Sequence, residues 1–206
     1  MYTSDKYKNR GEAGEITLHA ICRDYFDTLP ISPRVFYKSA TNDPVKAFDL
    51  VHARFPGGHG VELWLGESKL YDDTKEAIME ALKSVTKHLE QDFLKKQKFL
   101  LGPQIPKATP HYDELIQLFE PQTSLDKFLR VGVFVIGILS KSDACAAAKT
   151  IDDTYRVALE KEFAVIRERL AKSGLTKNIR VLLIYVPLAN KAARVEAFDG
   201  KLKGLQ

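Results

Sequence analysis

A helical pattern of apolar residues is the first regular feature of the chain. After Gly11, apolar side chains recur three and four positions apart, as they do along one face of an amphipathic helix. The residues of this stripe are Leu18, Ile21, Cys22, Tyr25, Phe26 and Leu29. Proline cannot continue a helix, so Pro30 and Pro33 are expected to end it.

Five later segments have the composition of β-strands. The first, 34–39, precedes a turn. The next two, 47–55 and 61–69, are separated by Pro-Gly-Gly-His-Gly, and this arrangement predicts a β-hairpin. The last two, 130–139 and 179–188, are apolar throughout, which is typical of strands covered on both faces.

Further helices are predicted between and after these strands. Asp73 and Glu76 have the spacing of a capping box and mark the start of one helix. A long helix is predicted over 143–172 and a final one over 190–203. Residues 91–130 are interrupted by proline and glycine, and they predict short helices that pack on the core as an insertion.

This order of elements predicts an α/β fold. A hairpin followed by strands that alternate with helices is typical of a mixed sheet with a central β-hairpin, flanked by helices on both faces. The chain, residues 1–206, has the length of one domain. We therefore expect a single domain with a helical insertion at about 91–130.

Composition excludes several classes of protein but does not indicate a specific activity. The net charge of +4 is compatible with a polyanionic partner but does not require one. Cys22 and Cys145 lie in no C-x-x-C or Cys/His cluster, which argues against a zinc site. The N-terminal residues lack the apolar segment of a signal peptide, and the longest apolar run, 131–139, is too short to span a bilayer. We expect a cytoplasmic protein with no membrane partner.

Charged residues end the apolar face of the hairpin. Because side chains alternate along a strand, Glu67 and Lys69 continue the face of Leu63 and Leu65. A hairpin centred on Gly58 pairs residues whose numbers add to 116, and this register places Asp49 directly opposite Glu67. Like charges at that position are destabilising, so a compensating group such as a divalent cation is expected.

A third carboxylate and a lysine complete the candidate site. Glu15 falls on the apolar stripe of the first helix, where an unpaired carboxylate would be costly. Mg²⁺, or Mn²⁺ in its place, binds carboxylate oxygens, so Glu15, Asp49 and Glu67 are candidate metal ligands. Such a site suits hydrolysis of phosphodiesters, in which Lys69 would orient or deprotonate the attacking water, or pair with the developing anion.

The sequence resembles a known nuclease family at these residues. The segments GEAGE, KSATNDPVKAFDLVH and LWLGESKLYDD are similar to the C-terminal nuclease domain of HamA, the effector of Hachiman antiphage defence systems, within the PD-(D/E)xK superfamily. The resemblance implies a restriction-endonuclease-like fold, a metal-dependent deoxyribonuclease, DNA as substrate and a helicase partner subunit similar to HamB. It implies catalytic roles for Asp49, Glu67, Lys69 and Glu15. Phe48 replaces the proline that precedes the first aspartate in the superfamily.

Other interpretations stay open for several of these residues. The fold could serve a non-catalytic DNA-binding or helicase-docking module. Lys95, Lys96 and Lys98 either follow a DNA backbone or form the solvated face of a helix. We interpret His52, on the opposite face of its strand from Asp49, as a structural histidine with a satisfied hydrogen bond.

Overall fold

A five-stranded mixed sheet forms the centre of the structure, a computed structural model that describes residues 11–32, 48–57 and 60–204. The strands lie side by side in sequence order. They are β1 (Leu29–Pro30), β2 (Leu50–Arg54), β3 (Glu62–Tyr71), β4 (Gly132–Lys141) and β5 (Arg180–Leu188). The first three are antiparallel, and β3, β4 and β5 run parallel. The predicted mixed sheet with a β-hairpin is therefore confirmed.

Helices cover both faces of this sheet. The helices are α1 (Glu12–Phe26), α2 (Thr74–His88), α3 (Gln91–Leu101), α4 (Tyr112–Phe119), α5 (Leu125–Val131), α6 (Asp143–Ala147), α7 (Asp153–Ser173) and α8 (Lys191–Lys203). Short 3-10 turns span Gly102–Gln104 and Leu175–Lys177. The larger core lies on the face packed by α2, α7 and the helices of the insertion, and it includes Leu63, Leu65 and Val51.

The opposite face packs against α1. Leu18 and Cys22 of α1 form a second apolar cluster with Leu50 and Trp64 of the hairpin. The helix lies close to the sheet because Gly14 has no side chain: a Cβ there would lie 2.8 Å from Ser68 Oγ. Trp64 is 4% exposed and is part of the core on this face of the sheet.

The apolar stripe of α1 is shorter than predicted. Tyr25 is 81% exposed and Leu29 is 39% exposed, although both were expected to face the core. Tyr25 is still within α1, on its exposed side. Asp27 adopts a left-handed conformation (φ 53°) and ends the helix before the prolines, so Leu29 lies beyond it. Leu29 and Pro30 then form the edge strand β1 instead of a last helical turn.

Two other predictions about elements were wrong in part. The helix expected over 143–172 is divided into α6 and α7, because the Asp152 carboxylate accepts the Tyr155 N–H and caps a new helix. The strand predicted as buried over 179–188 is the edge strand β5, mostly half-buried, and this position accommodates Pro187 within the strand. The strand predicted over 34–39 lies outside the described residues.

The insertion predicted over 91–130 consists of α3, a 3-10 turn, α4 and α5. Its apolar residues Leu94, Leu115 and Phe128 are buried in the larger core. The insertion therefore shares its core with the sheet.

Candidate active site

Glu67 and Lys69 of the candidate site lie on β3, the central strand of the sheet. Glu67 and Lys69 are two positions apart, so both side chains emerge on the same face, and they pair in register with Ile136 and Ile138 of β4. Glu67 is buried, with 6% of its surface exposed, and Lys69 is half-buried. At both positions β3 is paired with β4, whereas the ladder with β2 ends at Gly66, just before Glu67.

Asp49 lies beside Glu67 at the end of the neighbouring strand. Five residue pairs of the hairpin, from Arg54–Glu62 to Leu50–Gly66, confirm the register predicted from the sequence. The ladder ends at Leu50, and Asp49 is in a bend just before it. Its N–H donates to the Gly66 carbonyl (2.9 Å), and its carboxylate Oδ2 accepts the Ser68 N–H (2.9 Å). Asp49 is therefore hydrogen-bonded to Gly66 and Ser68, the residues before and after Glu67.

The charges of this group are largely compensated within the protein. Lys69 Nζ donates to Glu67 Oε1 at 2.6 Å. Burial on its own would lower the pKa of Lys69, but the Glu67 carboxylate and the more distant Asp49 carboxylate outweigh it and raise the pKa above its ordinary value. The two carboxylates therefore do not by themselves require a cation, because Lys69 and the Ser68 N–H already stabilise them.

His88 is a site residue that the sequence analysis missed. It is buried in the last turn of α2, and its Nδ1 lies 3.6 Å from Glu67 Oε2. Its ring stacks on Phe93 at a centroid distance of 4.4 Å and meets Phe48 edge-on at 4.9 Å. A signal was present, since His88 follows Val85 and Ala81 by three and seven positions on the buried face of α2.

Glu15 comes from α1 and not from the hairpin. It is in the first turn of α1, on the side of the sheet that Ser68 faces, whereas Glu67 faces the other side. Its Oε1 is near Gly11, where an added Cβ would lie 3.5 Å away. Within the described ranges, no three His, Cys, Asp or Glu side chains form a group able to hold a metal ion, so Glu15 does not form one with Asp49 and Glu67. Its role stays a prediction.

The Asp49 and Glu67 carboxylates nevertheless supply the oxygen ligands that Mg²⁺ or Mn²⁺ prefers. Mg²⁺ commonly keeps several waters and uses only one or two protein carboxylates, so Asp49 and Glu67 are a sufficient donor set. Both are oxygen donors next to each other at the end of a hairpin, with an ammonium at hand. The chemistry of these donors is compatible with a hard divalent cation, which these two side chains would hold.

A chain of hydrogen bonds connects Asp49 to the other face of the sheet. His19 of α1 has its Nε2 2.9 Å from the Asp49 carbonyl oxygen and its Nδ1 2.7 Å from His52 Nε2. Nδ1 of His52 is 2.7 Å from the Thr28 hydroxyl. His52 is fully buried, and burial, together with the nearby His19 and Arg23, lowers its pKa to about 3. The interpretation of His52 as a structural histidine is confirmed.

The lysines of α3 do not form a uniform surface. Lys95 and Lys96 are exposed, but Lys98 is only 5% exposed, so both interpretations offered for it were wrong. Lys98 Nζ donates to the carbonyls of Glu120 and Thr123 and fastens the turn between α4 and α5. Burial lowers the pKa of Lys98.

The helices of the described segments include none with the length and apolar character needed to cross a lipid bilayer.

The chain was compared with family models, curated proteins and solved structures. No curated protein and no solved structure matches the chain. The family model described as HamA matches residues 1–202, nearly the whole sequence of 206. The chain that carries this hairpin site therefore belongs to the HamA family, a component of Hachiman antiphage defence systems.

Proposed function

We propose that this protein is a metal-dependent DNA endonuclease and the effector of an antiphage defence system, acting in the cytoplasm. The observation that carries the proposal is the hairpin register, which sets Asp49 beside Glu67 while Lys69 lies on the same face. Two carboxylates and a lysine in this arrangement are the donor set of metal-assisted phosphodiester hydrolysis. Membership of the HamA family supports the defence role.

In this proposal Asp49 and Glu67 hold the Mg²⁺ or Mn²⁺ ion. A bound ion would supply Lewis-acid activation of water and offset negative charge on the phosphate. Asp49 is held in place by the Ser68 N–H, and Glu67 is held by Lys69. Both carboxylates are thus oriented before any ligand arrives, and little reorganisation is needed for binding.

Lys69 acts as a cation in this proposal. Without a bound ion, the Glu67 and Asp49 carboxylates raise the pKa of Lys69, so its amine is protonated at neutral pH and is then poorly suited to remove a proton from water. An ammonium at this place can instead donate hydrogen bonds to the attacking water or to phosphate oxygens that gain charge. Among the roles considered from the sequence, we propose orientation of the water and charge stabilisation for Lys69.

We further propose that the substrate is presented by a helicase partner subunit. Family membership implies a component of a larger system, and the net charge of +4 suits contact with nucleic acid. We therefore design the test with the partner present, because an effector can be silent on its own.

The test measures cleavage of plasmid and linear DNA by the chain together with its partner subunit, with Mg²⁺, Mn²⁺ or EDTA. Glu67→Gln, Lys69→Met and Asp49→Asn should each lower the cleavage rate at least about 100-fold, as losses of transition-state stabilisation do. The matched controls are Glu80→Gln and Lys83→Met, which change the same residue types in an exposed ion pair on α2. Both controls should cleave at the wild-type rate.

Equal cleavage by the wild type and the three site variants would refute the assignment. Absence of cleavage by the wild-type complex, together with DNA binding and no heat of Mn²⁺ binding in calorimetry, would favour the non-catalytic DNA-binding or helicase-docking module instead.

A further inference from the structure

The hydrogen-bond chain that ends on Asp49 has a fixed direction. A carbonyl oxygen only accepts, so His19 Nε2 must carry the proton that it donates to Asp49. In a neutral ring His19 Nδ1 is then an acceptor, and His52 Nε2 must donate to it. His52 Nδ1 in turn accepts from the Thr28 hydroxyl. With both rings neutral, only one assignment of protons satisfies all three bonds.

We propose that His19 is a positioning residue for the active site, which holds the main chain of Asp49 through this chain of bonds to His52 and Thr28. Nothing in the sequence analysis connected His19 with the site. The part of this proposal that concerns catalysis rests on the proposed function, and the part that concerns the position of Asp49 does not.

Asp49 needs such support because it lies beyond the regular hairpin. The ladder of β2 and β3 ends at Leu50, so strand pairing does not fix the conformation of Asp49. Its N–H is bound by Gly66, its carbonyl by His19, and its carboxylate by Ser68. The His19 bond is the one of these three that comes from outside the hairpin.

The residues at the far end of this chain of hydrogen bonds, His52 and Thr28, are buried. His52 is fully buried on β2, and Thr28, which follows α1, is 4% exposed. The rings of His19 and His52 lie 4.7 Å apart and tilted by 53°. The chain thus joins α1, the segment after it and β2, and His19 extends this support from the buried His52 to the site.

Two substitutions at His19 separate its two bonds. The amide of glutamine reaches the place of Nε2, so His19→Gln keeps a donor to the Asp49 carbonyl and loses the bond to His52. The amide of asparagine reaches only the place of Nδ1, so His19→Asn keeps an acceptor for His52 and loses the bond to Asp49. If His19 positions Asp49, the two variants should differ at the site although each loses one bond.

The first readout is amide hydrogen exchange of the Ser68 N–H, the donor to the Asp49 carboxylate. Exchange should be about tenfold faster in His19→Asn than in His19→Gln, as expected for loss of a hydrogen bond of about 1.4 kcal/mol. The Ala144 N–H is the reference amide, because it also donates to a carboxylate, that of Glu162, and lies on α6. Its exchange should be the same in both variants.

The second readout is the protonation of the rings in the wild type, from long-range ¹H–¹⁵N spectra at neutral pH. Both histidines should be protonated on Nε2 and not on Nδ1. A His19 Nε2 that carries no proton, or equal Ser68 exchange in the two variants after correction by Ala144, would overturn the proposal.

The third readout applies to cleavage of DNA by the complex with the partner. His19→Asn should lower kcat and leave KM unchanged, and His19→Gln should retain most of the wild-type kcat. Equal kcat values for the two variants would overturn the proposal that His19 contributes to catalysis. If the wild-type complex does not cleave DNA, the proposed function fails, and the exchange and tautomer results alone decide whether His19 positions Asp49.

Discussion

The Lys69 ammonium lies 2.6 Å from the Glu67 carboxylate although the two residues belong to the same strand. The Glu67 carboxylate is buried, whereas the Lys69 side chain is half-buried. The pair therefore has a structural role in addition to the proposed catalytic one, because it neutralises a charge inside the sheet.

Removal of Lys69 should destabilise the protein. Lys69→Met leaves the Glu67 carboxylate buried without its ammonium, and we expect a loss of about 1–3 kcal/mol in the free energy of unfolding. Urea denaturation at pH 7 measures it. The double variant Glu67→Gln/Lys69→Met should lose less than the two single variants together. Additive losses would show that the two charges are not coupled.

Acid should destabilise the protein through His52. The pKa of His52 is about 3 when folded and about 6.5 when unfolded, so between these values the unfolded state binds more protons. The stabilisation from the neutral ring is complete above pH 6.5 and is lost as the pH falls toward 3, by up to about 5 kcal/mol.

The variant His52→Gln isolates this effect. Glutamine does not titrate, so its free energy of unfolding should fall less steeply than that of the wild type between pH 6.5 and 4, as measured by urea denaturation at several pH values. Parallel curves for the two proteins would contradict a depressed pKa for His52.

A methyl group at Gly14 should destabilise the protein despite its better helix propensity. Alanine there would bring Cβ to 2.8 Å from Ser68 Oγ and 3.2 Å from Leu70 Cβ, so α1 must shift away from the sheet. We expect a net loss of about 1–3 kcal/mol in thermal or urea unfolding.

The matched control is Gly200→Ala in α8, where no atom lies within 4 Å of an added Cβ. This substitution should raise the free energy of unfolding by about 0.5–1 kcal/mol. A stabilising effect at Gly14 as well would show that α1 is not packed tightly against β3.

The lysines of α3 should separate into two kinds. Lys98→Met removes the donor to the Glu120 and Thr123 carbonyls, and it should lower the free energy of unfolding by about 1–3 kcal/mol. The exposed Lys95→Met should leave stability unchanged within about 0.5 kcal/mol. Urea denaturation of both variants makes the comparison.

The salt dependence of DNA binding is a second measurement that distinguishes Lys95 from Lys98. If α3 contacts the DNA backbone, Lys95→Met should reduce the salt dependence of binding, with a slope smaller by about 0.9 in a plot of log affinity against log salt concentration. Lys98→Met should leave that slope unchanged, because its ammonium is bound to protein carbonyls. An effect of Lys98 alone would contradict its buried position.

The hairpin could be predicted because its register depends on residues that are close together in the sequence. Alternation along each strand, together with the glycine-rich connection, fixed the register, and with it the neighbourhood of Asp49 and Glu67. The same alternation placed Lys69 beside Glu67. The mixed sheet followed from the order of strands and helices.

The rest depends on how elements pack, which periodicity alone does not fix. The contact between His88 and Glu67 requires the orientation of α2 over the sheet. The burial of Lys98 depends on the turn between α4 and α5, and the break before α7 depends on a single cap at Asp152. Glu15 has the right spacing for the core stripe, but α1 covers the sheet face opposite to Glu67.

The position of β3 between an antiparallel and a parallel neighbour has a consequence for folding. The connection from β2 to β3 is a short loop, whereas β4 joins β3 only after the long segment from Asp72 to Val131 has been closed. Short loops close sooner than long ones, so the hairpin is expected to assemble before β4 docks. The ion pair of Glu67 and Lys69 would then form in water and lose its hydration only when the second half of the sheet arrives.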